Sequence, residues 1–373
     1  MTDRKLLIEN AIVEIDRTAT DRQREASALY LKAISGDIQA KHALQEGIST
    51  SDIPSLLAPA INVQFLAQYA QYPVVWNQIV GDVIESPTLG GVEFGGFEFD
   101  SSLLLGEQDG DTYVGIGLPG VAEYGEYPAV SFATEELNAE LRKNGVRLRV
   151  SWETLIKMGN FDIIGRSTSA FARYAAEQED VVLAKQFVST AGVANPAFTA
   201  VTGTPALSLA ALEVAIGQAD AATVGGRPLG ATGYNLVVPT TLGQTARNIL
   251  SITSVQRTQG GDVYDVTPNT GNVRVTPFAA LQSVGNFTTP GTVNDWWFLV
   301  PDGTARPAFA EIFLEGYRTP LISIKDSGHF SLSGGAVPAR EGSFEVDSVE
   351  TRGRHIVAAS VIEPTGVLYS DGA

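Results

Sequence analysis

One stretch, residues 121–192, constrains the fold of this chain more than any other: VAEYGEYPAVSFATEELNAELRKNGVRLRVSWETLIKMGNFDIIGRSTSAFARYAAEQEDVVLAKQFVSTAG. A Pro- and Gly-punctuated run passes into a strand pattern at Val146–Trp152, and a long amphipathic run opens near Asn160. There Ile164, Phe171, Ala172, Ala175, Ala176, Val182, Leu183 and Phe187 recur at helical spacing and make one apolar stripe. Asp162 falls in the first turn and Lys185 in the last, both favourable to the macrodipole. The spacing predicts a helix over 161–188, about 40 Å long. That is long for a globular domain and suits a structural rib.

Composition narrows the class. Hydrophobic residues make up 44% of the 373 and charged residues 18%, so the chain can bury a core as one large domain or two ordinary ones. Its 38 glycines and 18 prolines favour a build rich in loops and strands. With no cysteine, disulfides, thiolate zinc sites and thiol catalysis are excluded. The amino end, MTDRKLLIENAIVEIDRTATDRQ, is broken by charge every few residues, so it reads as neither a signal peptide nor a membrane span. A soluble cytoplasmic chain with no membrane partner is expected. The net charge of −17 argues against a general nucleic-acid binder, because phosphate contacts need Lys and Arg. It does not argue against a container for DNA, since an acidic wall repels the genome it encloses.

Residues 1–63 read as an arm. The run from Asp21 spaces Ala28, Leu31, Ile34, Ile38 and Ala43 as a helix that Gly36 interrupts and Gly47 ends, and Pro54 and Pro59 punctuate a linker. Such an arm has too little apolar surface to stand alone and must lie on something else. Between His42 and Arg142 there is no Lys or Arg. The same stretch carries Asp82, Glu85, Glu93, Glu98, Asp100, Glu107, Asp109, Asp111, Glu123, Glu126, Glu135, Glu136 and Glu140. Within it GGVEFGGFEFD alternates apolar and acidic residues with a strand's period, and its Gly-Gly pairs make that strand bendable.

From Leu207 the texture becomes α/β. LSLAALEVAIGQADAA reads as a helix, YNLVVP as a buried strand, TTLGQTARNILSI as a helix capped by Thr240 or Thr241, and VRVTP and DWWFLVP as strands. AFAEIFLEGYRTPLISIKD and SFEVDSVETRGRHIVAASVIEPTGVLY return as strands, which interleaves two domains in sequence.

In this order of parts the chain resembles the major capsid proteins of tailed phages from about Gln64 onward. The resemblance implies an α+β subunit of the HK97 type. Its parts would be an N-terminal arm (1–63), an extended loop or E-loop (86–146), a peripheral domain (64–85, 147–204 and 305–373) carrying spine helix 161–188, and an axial α/β domain (205–304). It implies self-assembly as hexamers and pentamers into an icosahedral virion shell around double-stranded DNA. Portal and decoration partners follow, and the short arm suggests an uncleaved segment and a separate scaffolding protein. The extended loop would reach over a neighbouring subunit. An isolated two-stranded ribbon is marginal in water, so a long one needs another chain to cover it. An encapsulin-type compartment or a gene-transfer-agent head shares the implied fold.

No catalytic, cofactor or metal site is expected. Gly115–Gly120 matches G-x-G-x-x-G, but Gly125 and Pro128 follow where a helix should open, and the surroundings are acidic. His42, His329 and His355 are too scattered for a metal site, no G-x-S-x-G elbow accompanies them, and His355 reads as a core-edge or surface residue. Pairs such as Glu135–Glu136 and Glu179–Asp180 read as solvated faces. A cytoplasmic α/β enzyme using carboxylates of 207–300 is the reading from another class. Some capsid relatives join a loop lysine to a neighbour's asparagine. Here Thr134 stands where the lysine would align and Asp347 roughly where the asparagine is wanted, so no such cross-link is expected. Finally, Arg142, Lys143, Arg147 and Arg149 follow the acidic stretch directly, and Arg166 and Arg173 lie on the rib. With Glu123, Glu126, Glu135 and Glu136 they are the candidate inter-subunit contacts.

Overall fold

The computed structural model describes residues 17, 19–34, 37, 39–40, 53–98, 105–108, 111–114, 133–151, 160–224, 227–259, 262–268, 270, 272–304, 306–325 and 344–372. Two helices come first, α1 (Asp21–Ile34) and α2 (Ile53–Gln71), followed by strands β1 (Asp82–Ser86), β2 (Gly91–Glu98), β3 (Leu105–Gln108), β4 (Asp111–Val114), β5 (Ala133–Glu140) and β6 (Arg142–Ser151). The long helix α3 (Asn160–Phe187) leads through β7 (Thr199–Ala200) to α4 (Leu209–Asp220). Then come β8 (Thr223–Val224), β9 (Arg227–Pro228), β10 (Gly233–Val238), α5 (Gly243–Leu250), β11 (Val255–Gln259), β12 (Asp262–Val266), β13 (Val273–Pro277) and α6 (Ala279–Gly285). The chain closes with β14 (Trp297–Asp302), β15 (Phe309–Leu314), β16 (Leu321–Ile324), β17 (Ser348–Val361) and β18 (Leu368–Ser370). The class is α+β, as the sequence indicates. No helix among the described residues is long and apolar enough to cross a membrane.

The first sheet is built on β17. Along one edge it pairs with β15, which pairs in turn with β1, and with β16; along the other it pairs antiparallel with β6 from Ser348↔Ser151 to Val357↔Arg142. Alternation on β15 gives the sheet two covered faces. Phe309 and Phe313 join the core beneath α2 and α3, whereas Ala310, Ile312 and Leu314 pack with Ala139, Leu141 and Ile356 on the opposite side. α3 lies close to the sheet: a Cβ on Gly353 would come within 2.9 Å of the Phe171 ring.

The second sheet runs β13-β10-β14-β18-β7. Leu236, Trp297 and Leu299 pack with α4 and α5 on one face, while Val237, Phe298 and Val300 join the core shared with α3 on the other. Ser208 caps α4, accepting from the Ala211 N–H at 3.2 Å. Phe187, the last residue of α3, stacks on Phe309 with 4.5 Å between centroids and meets Phe298 edge-on at 5.0 Å, so it fastens the rib to both sheets.

Three expectations change, and the arm lies on other parts of the chain as expected. Pro54 and Pro59 lie inside α2 and do not break it into a linker. Pro54 occupies the first turn, where an N–H has no intrahelical acceptor, and Pro59 forfeits only one interior bond. The boundary between residues 63 and 64 therefore falls mid-helix. Residues 142–146, assigned to the extended loop, pair with Gly353–Val357 as part of the sheet, because the ladder continues past the ribbon's base. Thr240 and Thr241 do not cap α5; Leu242 precedes it with no side-chain bond, and the two hydroxyls go to Gln282 and to the Asn294 carbonyl. The arm helix α1 packs along α2 and touches α3 of its own subunit.

Candidate shell interface

The β6–β17 ladder sorts the basic residues. Opposed residues of an antiparallel pair share a face. Gly353 and His355 face α3, so Arg352 and Arg354 take the other face, together with Arg147, which stands opposite Arg352, and Arg149, opposite Glu350. Glu350, 5% exposed, gathers three of the cations: Arg149 Nη2 lies 2.6 Å from Oε1, and Arg147 Nη1 and Lys325 Nζ lie 3.6 and 3.7 Å from Oε2. The hydrogen bond from Arg149 leads in holding the Glu350 carboxyl below its ordinary pKa, with Arg147 and Lys325 assisting. Arg354 lies over the Tyr317 ring at 5.2 Å. Glu350 thus serves Arg147, Arg149 and Lys325, and Arg352 and Arg354 share its face of the strand. The like-charged pair Arg147↔Arg352 is directly opposed and so unfavourable.

Lys143, exposed and opposite Ile356, lies on this same face, whereas the other described sequence candidates do not. Arg142 bonds Glu140 at 2.6 Å at the ribbon's base. Arg166 and Arg173 sit on α3, across the sheet from the Arg147 face, and Arg173 is held by Glu177 at 2.7 Å. Glu135 and Glu136 lie on β5, opposite Phe94 and Glu93. Glu123 and Glu126 lie outside the described residues, as do Gly115–Gly120, His42 and His329. The β2–β5 register shifts at Gly91/Val92 and between Phe94 and Glu98, where the Gly-Gly pairs fall. Sequence reading missed Lys325, Glu350, Arg352 and Arg354. The alternation Glu350, Arg352, Arg354 was a usable signal, but their neighbourhood to Arg147 exists only through strand pairing.

Beneath the helix lies a polar cluster that the sequence reading placed on a solvated face. Glu179 is 0% exposed and stands in line with Ala172, Ala176, Leu183 and Phe187. Its carboxylate accepts from Tyr69 Oη–H, from Trp76 Nε1–H at 2.8 Å and from His355 Nε2 at 3.1 Å. Asp180 accepts from the backbone N–H groups of Val75 and Trp76 at 3.0 and 2.8 Å, which ties α3 to the turn after α2. His355, 4% exposed, is therefore a core residue and not a core-edge or surface one. A groove of about 320 Å³ opens beside it, lined by Phe171, Tyr174, Val146 and Gly353 among others. No serine, threonine or cysteine is among its described lining residues. Among the described residues no group of His, Asp and Glu could hold a metal ion.

A long helix laid on a sheet, a two-stranded ribbon of acidic sequence and a second sheet fastened at the helix's end are the main described parts. A family model described as phage capsid protein matches residues 134–370. The chain belongs to this phage capsid protein family: it is a structural protein of the virion shell, and its fold is of the α+β class. No curated protein matches it. Among solved structures, the capsid of Myoviridae phage XM1 is 13% identical, with TM-score 0.47 over 80% of this chain and 91% of its own. A chain of Mycobacterium phage Bobi is 12% identical, with TM-score 0.43 over 81% and 92%. The SrpI encapsulin of Synechococcus elongatus PCC 7942 is 10% identical, with TM-score 0.38 over 65% and 78%.

Proposed function

We propose that this chain is the major head protein of a tailed phage, closing as hexamers and pentamers into an icosahedral shell around double-stranded DNA. Its work is geometric and non-catalytic. Assembly in the host cytoplasm uses a separate scaffolding protein and a portal, and decoration proteins add to the finished surface. The acidic ribbon of one subunit lies on basic residues of the next.

One observation carries the last point. The strand register sets Glu93 opposite Glu136 in a ribbon of acidic sequence, and Arg147 opposite Arg352 in the sheet, a like-charged pair whose repulsion an acidic neighbour would relieve. An exposed ion pair contributes only about 0.2–1 kcal/mol, but a shell repeats it at every contact. Arg166 and Arg173 offer a second basic strip along the rib.

Arg352→Glu separates fold from assembly. Within the subunit it puts an acid opposite Arg147 and should leave stability unchanged or raised by up to about 1 kcal/mol. Between subunits it removes a cation, so particle yield should fall. Normal yield together with unchanged stability would refute the ribbon contact. A second expectation concerns covalency. Thr134 lies on β5 and Asp347 just before β17. Neither offers Lys–Asn chemistry, so assembled particles should run as single subunits on denaturing electrophoresis, and covalent ladders would contradict this.

A further inference from the structure

Between α3 and β15 lies a carboxyl group that the shell contacts do not use. Glu311 sits at the centre of β15, between Phe309 and Phe313 on the face that meets the rib. It is 0% exposed, and neither carboxyl oxygen has a hydrogen-bond partner among the described residues. A charged carboxylate without partners in such a place is costly, whereas a neutral one is tolerated. Burial first, then the charges of Glu179 and Asp180, hold Glu311 well above the ordinary glutamate pKa.

The groups around it give an added negative charge little relief. From α3 come Glu179, already occupied by three donors, and Asp180, occupied by two backbone N–H groups. From α2 comes Tyr69, and from β17 His355, both bonded to Glu179. From β1 comes Glu85, opposite Phe313, which pairs with Arg318 at 3.3 Å; Arg318 in turn lies over the Phe313 ring, 5.5 Å from its centroid. The sheet's cations Arg147, Arg149, Lys325, Arg352 and Arg354 are on the opposite face.

The geometry points to a proton-operated latch on the rib: with Glu311 neutral, α3 closes on β15, and loss of its proton to solvent sets three carboxylates against one another and drives the helix from the sheet. Because the rib connects both sheets through Phe187, such an opening changes the angle at which the subunit presents its contacts. The effect on the shell rests on the capsid reading; the effect on the subunit does not.

The direction follows from linkage. A carboxyl neutral in the closed state and ionised when opened contributes stability below its ordinary pKa and loses it as pH rises toward its closed-state value. Over that range closure weakens about tenfold per pH unit. Hydrogen exchange of the unassembled wild-type subunit and of Glu311→Gln, between about pH 5 and 8, reads this directly. Protection of α3 amides near 179–187, corrected for the intrinsic pH dependence of exchange, should fall on that slope in the wild type and stay level in the variant. A level wild type, or an equal slope in both, overturns the latch. Glu311→Met, which is also neutral, replaces Gln if that variant does not fold. An infrared band of a buried protonated carboxyl in the neutral wild-type protein needs no variant, and its absence also overturns the proposal. In assembled particles, wild-type diameter or integrity should change with rising pH and the variant's should not. Subunits that respond while their shells do not would confine the latch to the free subunit, and failure to form shells at all would count against the capsid reading instead.

Discussion

Glu179→Ala should destabilise the subunit by about 3–5 kcal/mol, the range expected when one member of a buried charged network is removed. Three donors lose their acceptor at once: the Tyr69 hydroxyl, the Trp76 indole N–H and His355 Nε2, all in the core. Each buried donor left without a partner costs about 1–3 kcal/mol. Part of the loss is offset because a negative charge leaves the vicinity of Glu311. Two residues earlier, Glu177 makes an exposed pair with Arg173, so Glu177→Ala should stay within about 0.5 kcal/mol. Urea unfolding of the unassembled subunit measures both through the transition midpoint at constant slope. Equal effects at 177 and 179 would mean that the buried cluster does not hold the helix.

Phe187→Ala should cost a similar amount, about 3–5 kcal/mol, for a different reason. Its ring touches Phe198, Phe278, Phe298 and Phe309, so its removal opens a void where α3, β14, β15 and the start of α6 converge. The surrounding rings belong to separate elements and cannot all move into the gap, which places the cost toward the upper end of the range. The second sheet should also lose coupling to the first. Unfolding followed by tryptophan fluorescence in a Trp76→Phe, Trp152→Phe background, which leaves Trp296 and Trp297 at the second sheet, and by circular dichroism should then separate into two transitions. A single sharp transition at the wild-type midpoint would contradict this account of Phe187.

The rib was legible because an apolar stripe at helical spacing is a local signal, and α3 runs from Asn160 to Phe187 much as the stripe indicates. Glu179 was not. Its spacing from Ala172, Ala176, Leu183 and Phe187 places it on the buried side, but residue type argued for solvent, and only the donors arriving from α2, the turn after it and β17 make burial tolerable. α2 was hidden by its two prolines. The β11–β12 hairpin was signalled by Gly260-Gly261 between two polar-apolar runs yet passed over, and Val263 on it is exposed. The basic face was half visible. Arg147 and Arg149 announce themselves beside the acidic stretch, whereas Arg352, Arg354 and Lys325 join them only through a pairing that spans some 200 residues of sequence, with Arg149 and Glu350 201 positions apart. Strand register across that distance is a tertiary property, set by which faces must be buried.

Cryo-electron microscopy of particles formed when this protein is produced with its scaffolding and portal partners bears most directly on the central claim. Closed icosahedral shells with five- and six-fold capsomers, each ribbon lying across a neighbouring subunit, are the predicted result. A uniform small oligomer under those same conditions would contradict it.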